Sequence, residues 1–316
     1  MNATHPTALQ LCPFSPYFES GLAARCSVIR WFELDATAQA QWLREHAPAV
    51  RAVITAGNVG CSTTLMTALP ALGLIAINGV GVDKVDLNLA RSRGVRVSTT
   101  PGTLTEDVAD LAVGLVIGLL RGIADADRYL RAGDWAGKGD WPLARKVSGR
   151  RFGIVGLGSI GSAIAARLSP FGPVAYTGPH RKDAPYAFHA DLLSLAGASD
   201  VLVLACPATA ATRHLVDAVV IDALGPSGYL VNVARGSVVD EAALIVALEA
   251  GRIAGAALDV FENEPQVPAA LRANPRTLLT PHMASATHET RVQMADLVLA
   301  NLDALLAGGV LPTAVV

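Results

Sequence analysis

Short runs of β-branched and other apolar residues alternate with alanine- and leucine-rich segments along the chain. This alternation predicts strands separated by helices, which is typical of a parallel α/β architecture. In the first third of the chain, the pattern predicts strands at 51–55, 74–77 and 95–97, and helices at 62–68 and 85–92.

A second series of strands begins at residue 152. The six predicted strands lie at 152–155, 174–176, 201–205, 229–233, 255–258 and 277–279. A glycine-rich sequence and a helical segment at 162–168 follow the first of them. Six strands with intervening helices are enough for a complete doubly wound parallel sheet.

Two long helical patterns flank this second series. One extends over 105–132 and begins with a capping-type sequence, so we expect it to cross between two domains. Its apolar faces fit either burial between the domains or a contact between subunits. The other, at 287–307, has apolar residues at near-helical spacing and is predicted to return the chain to the first domain. The segment 135–149 is predicted to be a loop, in which Trp135 and Trp141 either anchor the packing or face a substrate.

The composition excludes several classes of function. The chain has 316 residues, of which 52% are hydrophobic and 16% charged, as expected for two densely packed globular domains. A formal net charge of −2 without a basic stripe gives no electrostatic attraction for nucleic acid or for an acidic membrane. The most apolar stretch, 111–120, has about half the length of a membrane-spanning helix. We therefore expect no nucleic-acid partner and no membrane partner.

Four cysteines are present, and they form neither a CxxC pair nor a metal-ligand spacing. We therefore expect reduced thiols and no bound metal. The first ten residues lack a basic region followed by an apolar run, so we expect no signal peptide and a cytoplasmic location.

The glycine-rich sequence places Gly156, Gly158 and Gly161 as G-x-G-x-x-G directly after a predicted strand and before a helix. In this context the glycines permit a tight turn, the approach of a pyrophosphate to the backbone, and close helix packing. The exposed N–H groups and the helix dipole then bind the phosphates. This part of the chain is predicted to be a dinucleotide-binding Rossmann domain.

The segment after the second strand of this domain bears on the choice of dinucleotide. A site that prefers NAD carries a carboxylate there, which binds the ribose hydroxyl. This chain has none at 174–182, whereas Arg181 and Lys182 are suited to pair with a 2′-phosphate. NADP(H) is therefore favoured. The alternative, a solvated basic loop, would tolerate NAD(H) as well.

Three further segments follow predicted strands, at the edge where this fold collects ligands. They carry Arg235, Glu264 and His282, which are a cation, a carboxylate and an imidazole. Arg235 can bind a substrate carboxylate and polarise the adjacent carbonyl group. His282 can supply a proton to the carbonyl oxygen, and Glu264 can orient the ring and favour its protonated form. These three residue types are the set required to reduce a 2-keto acid with a hydride.

The sequence segments around these three residues closely resemble those of the D-2-hydroxyacid dehydrogenase family. The segments are NVARGSVVDEAAL, ALDVFENEP and LTPHMASAT. Within it, the chain is similar to the branch of glyoxylate/hydroxypyruvate reductases and hydroxyphenylpyruvate reductases. The resemblance extends over nearly the whole chain, including NGVGVDKVDL at 78–87 and ACPATAATRHLV at 205–216. It implies reduction of a small 2-keto acid to the D-2-hydroxy acid, with glyoxylate or hydroxypyruvate as the first expectation and a bulkier aryl or sugar-derived keto acid as the second.

The resemblance also assigns roles to single positions. Arg235, Glu264 and His282 match the substrate arginine, the supporting acid and the proton donor. Backbone amides that hold the substrate carboxylate are expected at Val80 and Gly81. Further contacts to the dinucleotide are expected at Ser159, Ile160, Cys206, Pro207, Thr212, Val233, Ala234, Asp259 and Ser285, with Asp259 meeting the carboxamide.

The family pattern also implies a domain organisation. A flavodoxin-like substrate domain is expected at 1–98 and 287–316, with the Rossmann domain at 99–286 inserted into it. The substrate is expected in the cleft between them, in a homodimer. The chain departs from the reductase branch at Gly178 and Pro179, where an arginine or lysine is common, and at Ser159, where relatives often carry arginine.

Two other functions use the same features. Some relatives are dinucleotide-sensing corepressors, but no added interaction tail is evident in this chain. Oxidation of formate or phosphite on this scaffold is the other alternative. Formate enzymes of the family typically have glutamine at the position of Glu264, which disfavours that reaction.

Overall fold

The computed structural model describes residues 6–316, and its contacts divide them into two units. The first contains the described residues up to Leu104 together with Ser285–Val316, and the second is Thr105–Ala284. The first crossing lies later than the expected 98/99 boundary. The reason is that Thr99 N donates to Thr313 O and Thr100 N donates to Gly79 O, at 3.3 and 2.8 Å, so these residues stay with the first unit.

The first unit is built on five parallel strands in the order β2-β1-β3-β4-β5, which is the flavodoxin-like order. The strands are β1 (Thr7–Gln10), β2 (Ser27–Arg30), β3 (Val50–Ala56), β4 (Leu74–Asn78) and β5 (Arg96–Ser98). The helices between them are α1 (Pro16–Ala23), α2 (Ala36–His46), α3 (Thr63–Ala68) and α4 (Leu87–Ser92). The pattern of apolar residues predicted the last three strands but not β1 and β2, which have only four residues each.

The second unit contains seven parallel strands in the order β12-β11-β10-β9-β6-β7-β8. They are β6 (Phe152–Val155), β7 (Val174–Thr177), β8 (Ala187–Phe188), β9 (Val201–Leu204), β10 (Tyr229–Asn232), β11 (Gly255–Leu258) and β12 (Thr277–Leu279). The six predicted strands are confirmed, and the two-residue β8 is an addition at the edge. The strand order reverses direction at β6, between β7 and β9, and such a switch point creates a ligand crevice at the carboxyl ends of the strands.

Eight helices accompany this sheet. They are α5 (Thr105–Arg121), α6 (Ile123–Arg131), α7 (Asp134–Lys138), α8 (Ser159–Leu168), α9 (Leu192–Ala198), α10 (Ala218–Leu224), α11 (Glu241–Glu249) and α12 (Ala269–Ala273). The prediction of one helix over 105–132 is wrong. Gly122, with φ 62°, separates α5 from α6 because this left-handed conformation suits glycine and ends a helix. Residues 135–138 of the short α7 also overlap the segment 135–149 predicted to be a loop.

The apolar stripe of α5 is buried within the second unit. Val108, Ala112 and Leu115 are buried, and α5 packs against α8 and the sheet. Arg167 of α8 pairs with Asp110 and Glu106 of α5, at 2.6 and 2.5 Å. The apolar character of α5 is therefore explained by packing in its own unit, so it is not an argument for a contact between subunits.

The last helix, α13 (His288–Leu306), belongs to the first unit and packs on α1 and β4. Alternate residues of each strand point to opposite faces of the sheet, and each face has its own apolar cluster. One cluster joins Ala8, Ile54 and Ala76 to α1 and α13, and the other lies on the opposite face against α3. None of the helices within 6–316 is long and apolar enough to cross a membrane.

Candidate active site

The turn after β6 has glycines where a side chain would collide with the backbone. Gly156 has φ 91°, and its N–H donates to Thr177 O at 2.9 Å. A Cβ on Gly156 would lie 2.8 Å from Cys206 Cα, and one on Gly161 would lie 1.9 Å from Gly156 O. Both distances are shorter than Cβ contacts allow. The turn, the first residues of α8 and the end of β9 therefore pack directly against one another.

Gly158 differs, because a Cβ added there would meet no other atom of the protein within 4 Å. Gly158 precedes Ser159 and Ile160, which begin the ten-residue helix α8. Gly158 and Ser159 are exposed, so the backbone at this helix start is open to an approaching group. Backbone N–H groups at a helix start bind phosphate. The residues present thus fit the pyrophosphate of a dinucleotide.

Lys182 reaches back to this turn from the segment after β7. Its Nζ donates to Leu157 O at 2.7 Å. Tyr176 OH accepts from Lys182 N at 2.7 Å and donates to Lys182 O at 3.2 Å, which fixes the backbone of Lys182. The adjacent Arg181 is exposed, and no hydrogen bond or ion pair joins its side chain to another described residue. The two cations proposed for a 2′-phosphate therefore have different surroundings.

The loop after β9 is closed on itself. Thr212 Oγ1 donates to Pro207 O at 2.8 Å and accepts from Thr209 N at 2.8 Å. Cys206, the neighbour of Gly156, is mostly buried, and burial raises the pKa of its thiol to about 11. Cys206 is therefore a neutral packing residue beside the glycine turn.

The segment after β10 is shaped by Asn232, a residue that the sequence did not single out. Asn232 is buried, its Oδ1 accepts from Ala234 N and its Nδ2 donates to Arg235 O, both at 3.0 Å. Arg235 is half-buried, and its Nη1 donates to Ala234 O at 2.8 Å. Val233 and Ala234 are buried between them. The amide side chain of Asn232 thus fixes the backbone from which Arg235 extends.

Glu264 and His282, eighteen residues apart in sequence, are in direct contact. His282 Nδ1 donates to Glu264 Oε2 at 2.7 Å, and Phe261 N donates to Glu264 Oε1 at 3.0 Å. Both carboxylate oxygens are therefore bonded, so the orientation of the carboxylate is fixed. The bond to Nδ1 leaves Nε2 as the imidazole nitrogen that does not contact Glu264.

The charges at this pair favour an ionised carboxylate. Burial raises the pKa of the Glu264 carboxyl, but the hydrogen bond and charge of His282, the Phe261 amide and the charge of Arg235 outweigh it. The net result is a pKa below the ordinary value for glutamate. Arg235 is thus close enough to influence the carboxylate. The guanidinium of Arg235, the carboxylate of Glu264 and the imidazole of His282 all belong to the second unit.

Asp259 supports the loop that carries His282. Its side chain is completely buried, and its two oxygens accept from Thr280 Oγ1, Met283 N and Ala284 N at 2.6, 2.9 and 3.0 Å. His282 N also donates to Asp259 O at 2.8 Å. His282 itself has φ 52°, a left-handed conformation that is unusual outside glycine and persists only where the surroundings fix it.

The remaining predicted residues belong to the first unit. Val80 and Gly81 follow β4, and Val80 is exposed. Close to this turn, the buried side-chain oxygens Asn78 Oδ1 and Thr100 Oγ1 have no hydrogen-bond partner among residues 6–316. Ser285 is the first residue of the carboxyl-terminal part of that unit and is partly exposed.

The fold and these side chains define a dinucleotide-dependent oxidoreductase. The family model described as "D-isomer specific 2-hydroxyacid dehydrogenase, NAD binding domain" matches residues 113–284. Hydroxyphenylpyruvate reductase of Plectranthus scutellarioides is 46% identical over 310 residues, which is 98% of each protein. The 2-ketogluconate reductase of Gluconobacter oxydans is 43% identical over 99% of this chain and 100% of its own length.

A solved structure of a reductase is also similar to this chain. The NADPH-dependent glyoxylate/hydroxypyruvate reductase of Sinorhizobium meliloti, in complex with NADP and malonate, is 40% identical with a TM-score of 0.90, covering 98% of this chain and 97% of that one. The chain belongs to the D-isomer specific 2-hydroxyacid dehydrogenase family. Its activity is the NAD(P)-dependent reduction of a small 2-keto acid to a 2-hydroxy acid.

Proposed function

We propose that the protein reduces a 2-keto acid of the glyoxylate or hydroxypyruvate type to the D-2-hydroxy acid, with NADPH as the preferred dinucleotide. The observation that supports this most strongly is the Glu264–His282 hydrogen bond within range of the Arg235 charge. Substrate, NADPH and one proton give the hydroxy acid and NADP⁺. The nicotinamide, when bound, supplies the hydride to C2.

The three side chains divide the remaining work. Arg235 binds the substrate carboxylate and polarises the C2 carbonyl group through its fork of donors. His282 donates a proton from Nε2 to the carbonyl oxygen. Glu264 holds the ring through Nδ1, so that Nε2 is the nitrogen left to meet the substrate. His282→Ala is expected to lower kcat by about 100-fold or more while the protein still binds NADPH.

The two units take the two expected roles. We assign the dinucleotide to the second unit, with Gly156, Gly158, Ser159, Ile160 and Gly161 at the pyrophosphate. The proposed wall of this site within the second unit is formed by Cys206, Pro207, Thr212, Val233, Ala234 and Asp259. Ser285, which belongs to the first unit, stays a prediction from the sequence. The first unit is the proposed substrate domain, in which the backbone amides of Val80 and Gly81 bind the carboxylate of the keto acid.

The preference for NADPH rests on the segment after β7. The segment from Thr177 to Lys182 contains no carboxylate that would repel a 2′-phosphate, and Arg181 within it is exposed. Arg181→Met is expected to weaken NADPH binding by about 10- to 100-fold and to leave NADH binding nearly unchanged. Lys182→Met is the matched variant. Because Lys182 binds Leu157 O, its loss should weaken both dinucleotides. Equal losses in the Arg181 variant would contradict the assignment.

The identity of the keto acid has two alternatives to glyoxylate and hydroxypyruvate. Relatives named for hydroxyphenylpyruvate and for 2-ketogluconate have similar identity to this chain, so aryl and sugar-derived acids are the alternatives. The deciding experiment measures kcat/KM for a panel of 2-keto acids, each with NADPH and with NADH, with His282→Ala as the control. Binding of NADPH without turnover of any acid would instead indicate a dinucleotide-sensing protein.

We further propose a homodimer and a cytoplasmic location. Apolar side chains are exposed along residues 123–143 of the second unit, with Ile123 at 53%, Leu130 at 57%, Trp135 at 61% and Leu143 fully exposed. Ile123, Trp141 and Leu143 line one surface depression of this segment, and an exposed apolar patch is typical of an interface between subunits. Leu143→Glu should lower the mass measured by light scattering to that of a monomer, whereas Val310→Glu, on the other unit, should not. Free thiols at all four cysteines support a reducing compartment.

A further inference from the structure

The loop that carries Glu264 also carries a second carboxylate, which is bound to a second histidine. Glu262 Oε1 accepts from His214 Nε2 and from Arg213 Nη2, both at 2.8 Å. Among residues 6–316, His214 and His282 are the two non-glycine residues with positive φ, at 49° and 52°. Such a backbone needs surrounding contacts to hold it. Both histidines of this kind therefore bind a glutamate of the same loop.

The backbone of His214 is attached to the segment that follows Arg235. His214 N donates to Ser237 O at 2.8 Å. Two residues later, Val216 N donates to Val238 O and Val216 O accepts from Asp240 N, both at 3.0 Å. The chain at 214–216 thus runs alongside the Arg235 segment, while the His214 side chain reaches the Glu264 loop.

The two segments that His214 joins are themselves in close contact. A Cβ on Gly236, the residue after Arg235, would lie 1.9 Å from the carbonyl carbon of Phe261. Glu262 N donates to Glu241 Oε1 at 2.6 Å, and Glu241 is buried at the start of α11. A shift of the Glu264 loop would therefore break contacts on the Arg235 segment as well.

This cluster also concentrates negative charge. Burial raises the pKa of Glu241, and the hydrogen bond from the Glu262 amide lowers it. The negative charges of Glu262 and Glu264 raise it further, so the pKa of Glu241 is above its ordinary value. Like-charged carboxylates in one place repel each other. Arg213 and His214 bind the side chain of Glu262, whereas Glu241 accepts from its backbone N–H group.

We propose that His214 is a positioning residue for the catalytic pair: through Glu262 it holds the loop of Glu264 against the Arg235 segment. It acts through Glu264 and touches neither substrate nor dinucleotide. This role rests on the proposed function where turnover is the measurement, and a second measurement below is independent of turnover.

The first test compares three variants. His214→Leu removes the donor to Glu262, His214→Gln keeps an N–H donor on the side chain, and His189→Leu removes a histidine that is bonded to Ser194 elsewhere in the same unit. With kcat counted per dinucleotide-binding site, His214→Leu should lose about 10- to 100-fold in kcat, with KM and dinucleotide affinity nearly unchanged. His214→Gln should recover most of the loss, and His189→Leu should match the wild type. Equal activity of His214→Leu and wild type would overturn the proposal.

A double-mutant cycle asks whether the effect passes through Glu264. In a Glu264→Gln background, adding His214→Leu should change kcat by less than about twofold, because the group being positioned is already altered. The same fold loss in both backgrounds would show that His214 acts by another route.

Hydrogen exchange provides the measurement that does not require turnover. The N–H groups of Phe261 and Glu262 are bonded to Glu264 and Glu241, and they should exchange faster in His214→Leu than in wild type or His189→Leu. Unchanged exchange at both amides would reject the positioning role even if no keto acid is turned over. Conversely, wild type inactive on every keto acid but with faster exchange in His214→Leu would reject the proposed function alone.

Discussion

Replacing Asp259 with asparagine tests how firmly the loop of His282 is held. Thr280 Oγ1 and Met283 N donate to Asp259 Oδ1, and Ala284 N donates to Oδ2. An amide has a single acceptor oxygen, so whichever way the new side chain is placed, one of the two backbone N–H groups faces an NH₂ group. In one orientation the lost bond is that of Ala284, and in the other it is that of Met283.

The magnitude follows from the number of bonds. A hydrogen bond to a charged acceptor contributes about 1.5–3 kcal/mol, and leaving a buried donor unpaired costs about 1–3 kcal/mol. Asp259→Asn should therefore destabilise the loop by about 2–4 kcal/mol, which corresponds to amide exchange about 30- to 800-fold faster if the loop opens locally. Thr280→Val is the comparison variant with the smaller expected effect, because it removes one hydroxyl donor and leaves every backbone N–H group with its partner.

The assay is hydrogen exchange by mass spectrometry or NMR at residues 280–284, combined with kcat for the keto acid. Asp259→Asn should accelerate exchange at Met283 or Ala284 and lower kcat, since the bonds from Thr280, Met283 and Ala284 to the Asp259 side chain hold the segment that contains His282. Thr280→Val should show a smaller effect on both. Exchange in Asp259→Asn equal to that of wild type would refute the view that this carboxylate holds the loop.

Two more outcomes are expected. The pKa of Glu264 is lower in the folded state than in the unfolded state, so its contribution to stability is complete above the unfolded carboxyl pKa of about 4.3 and is lost as the pH falls through the folded value. In urea unfolding, the difference in free energy of unfolding between wild type and Glu264→Gln should therefore shrink below about pH 4. A difference that grows on acidification would contradict this. Gly161→Ala should lower the melting temperature, because its Cβ would collide with Gly156 O. Gly158→Ala should keep the melting temperature of wild type, because its Cβ has no neighbour within 4 Å, and it should weaken dinucleotide binding. Equal melting temperatures of the two variants in calorimetry would argue against the close packing of α8 on the turn.

The sequence predicted best those features that depend on local pattern. The strand ends before Gly156, Arg235 and Asp259 each follow a continuous apolar run, because a strand buried on both faces leaves this signal. The strands β1 and β2 have four residues each, and β2 is only partly buried, so their pattern is too short to distinguish from a loop. Gly122 was visible within the predicted helix, but a single glycine is tolerated in many helices, and only its positive φ shows that this one ends α5.

Contacts between distant segments could not be predicted from spacing. Glu262 and His214 are 48 residues apart, and a glutamate in a polar loop is usually solvated, so their sequence context gave no sign of the pair. Asn232 is a similar case. The only available signal was its position at the end of an apolar strand, where a buried polar side chain must find partners.

The arrangement of α13 has a consequence for the order in which the protein folds during synthesis. The second unit is one continuous stretch of chain, so all of its strands have been made by Ala284. The first sheet, by contrast, buries Ala8, Ile54 and Ala76 partly against α13, a helix that is synthesised only after the whole second unit. Until then, α1 covers one part of this apolar face and the part that α13 covers stays open. The amino-terminal portion therefore completes its core only after the second unit has been made, and its open apolar surface is prone to aggregation until then.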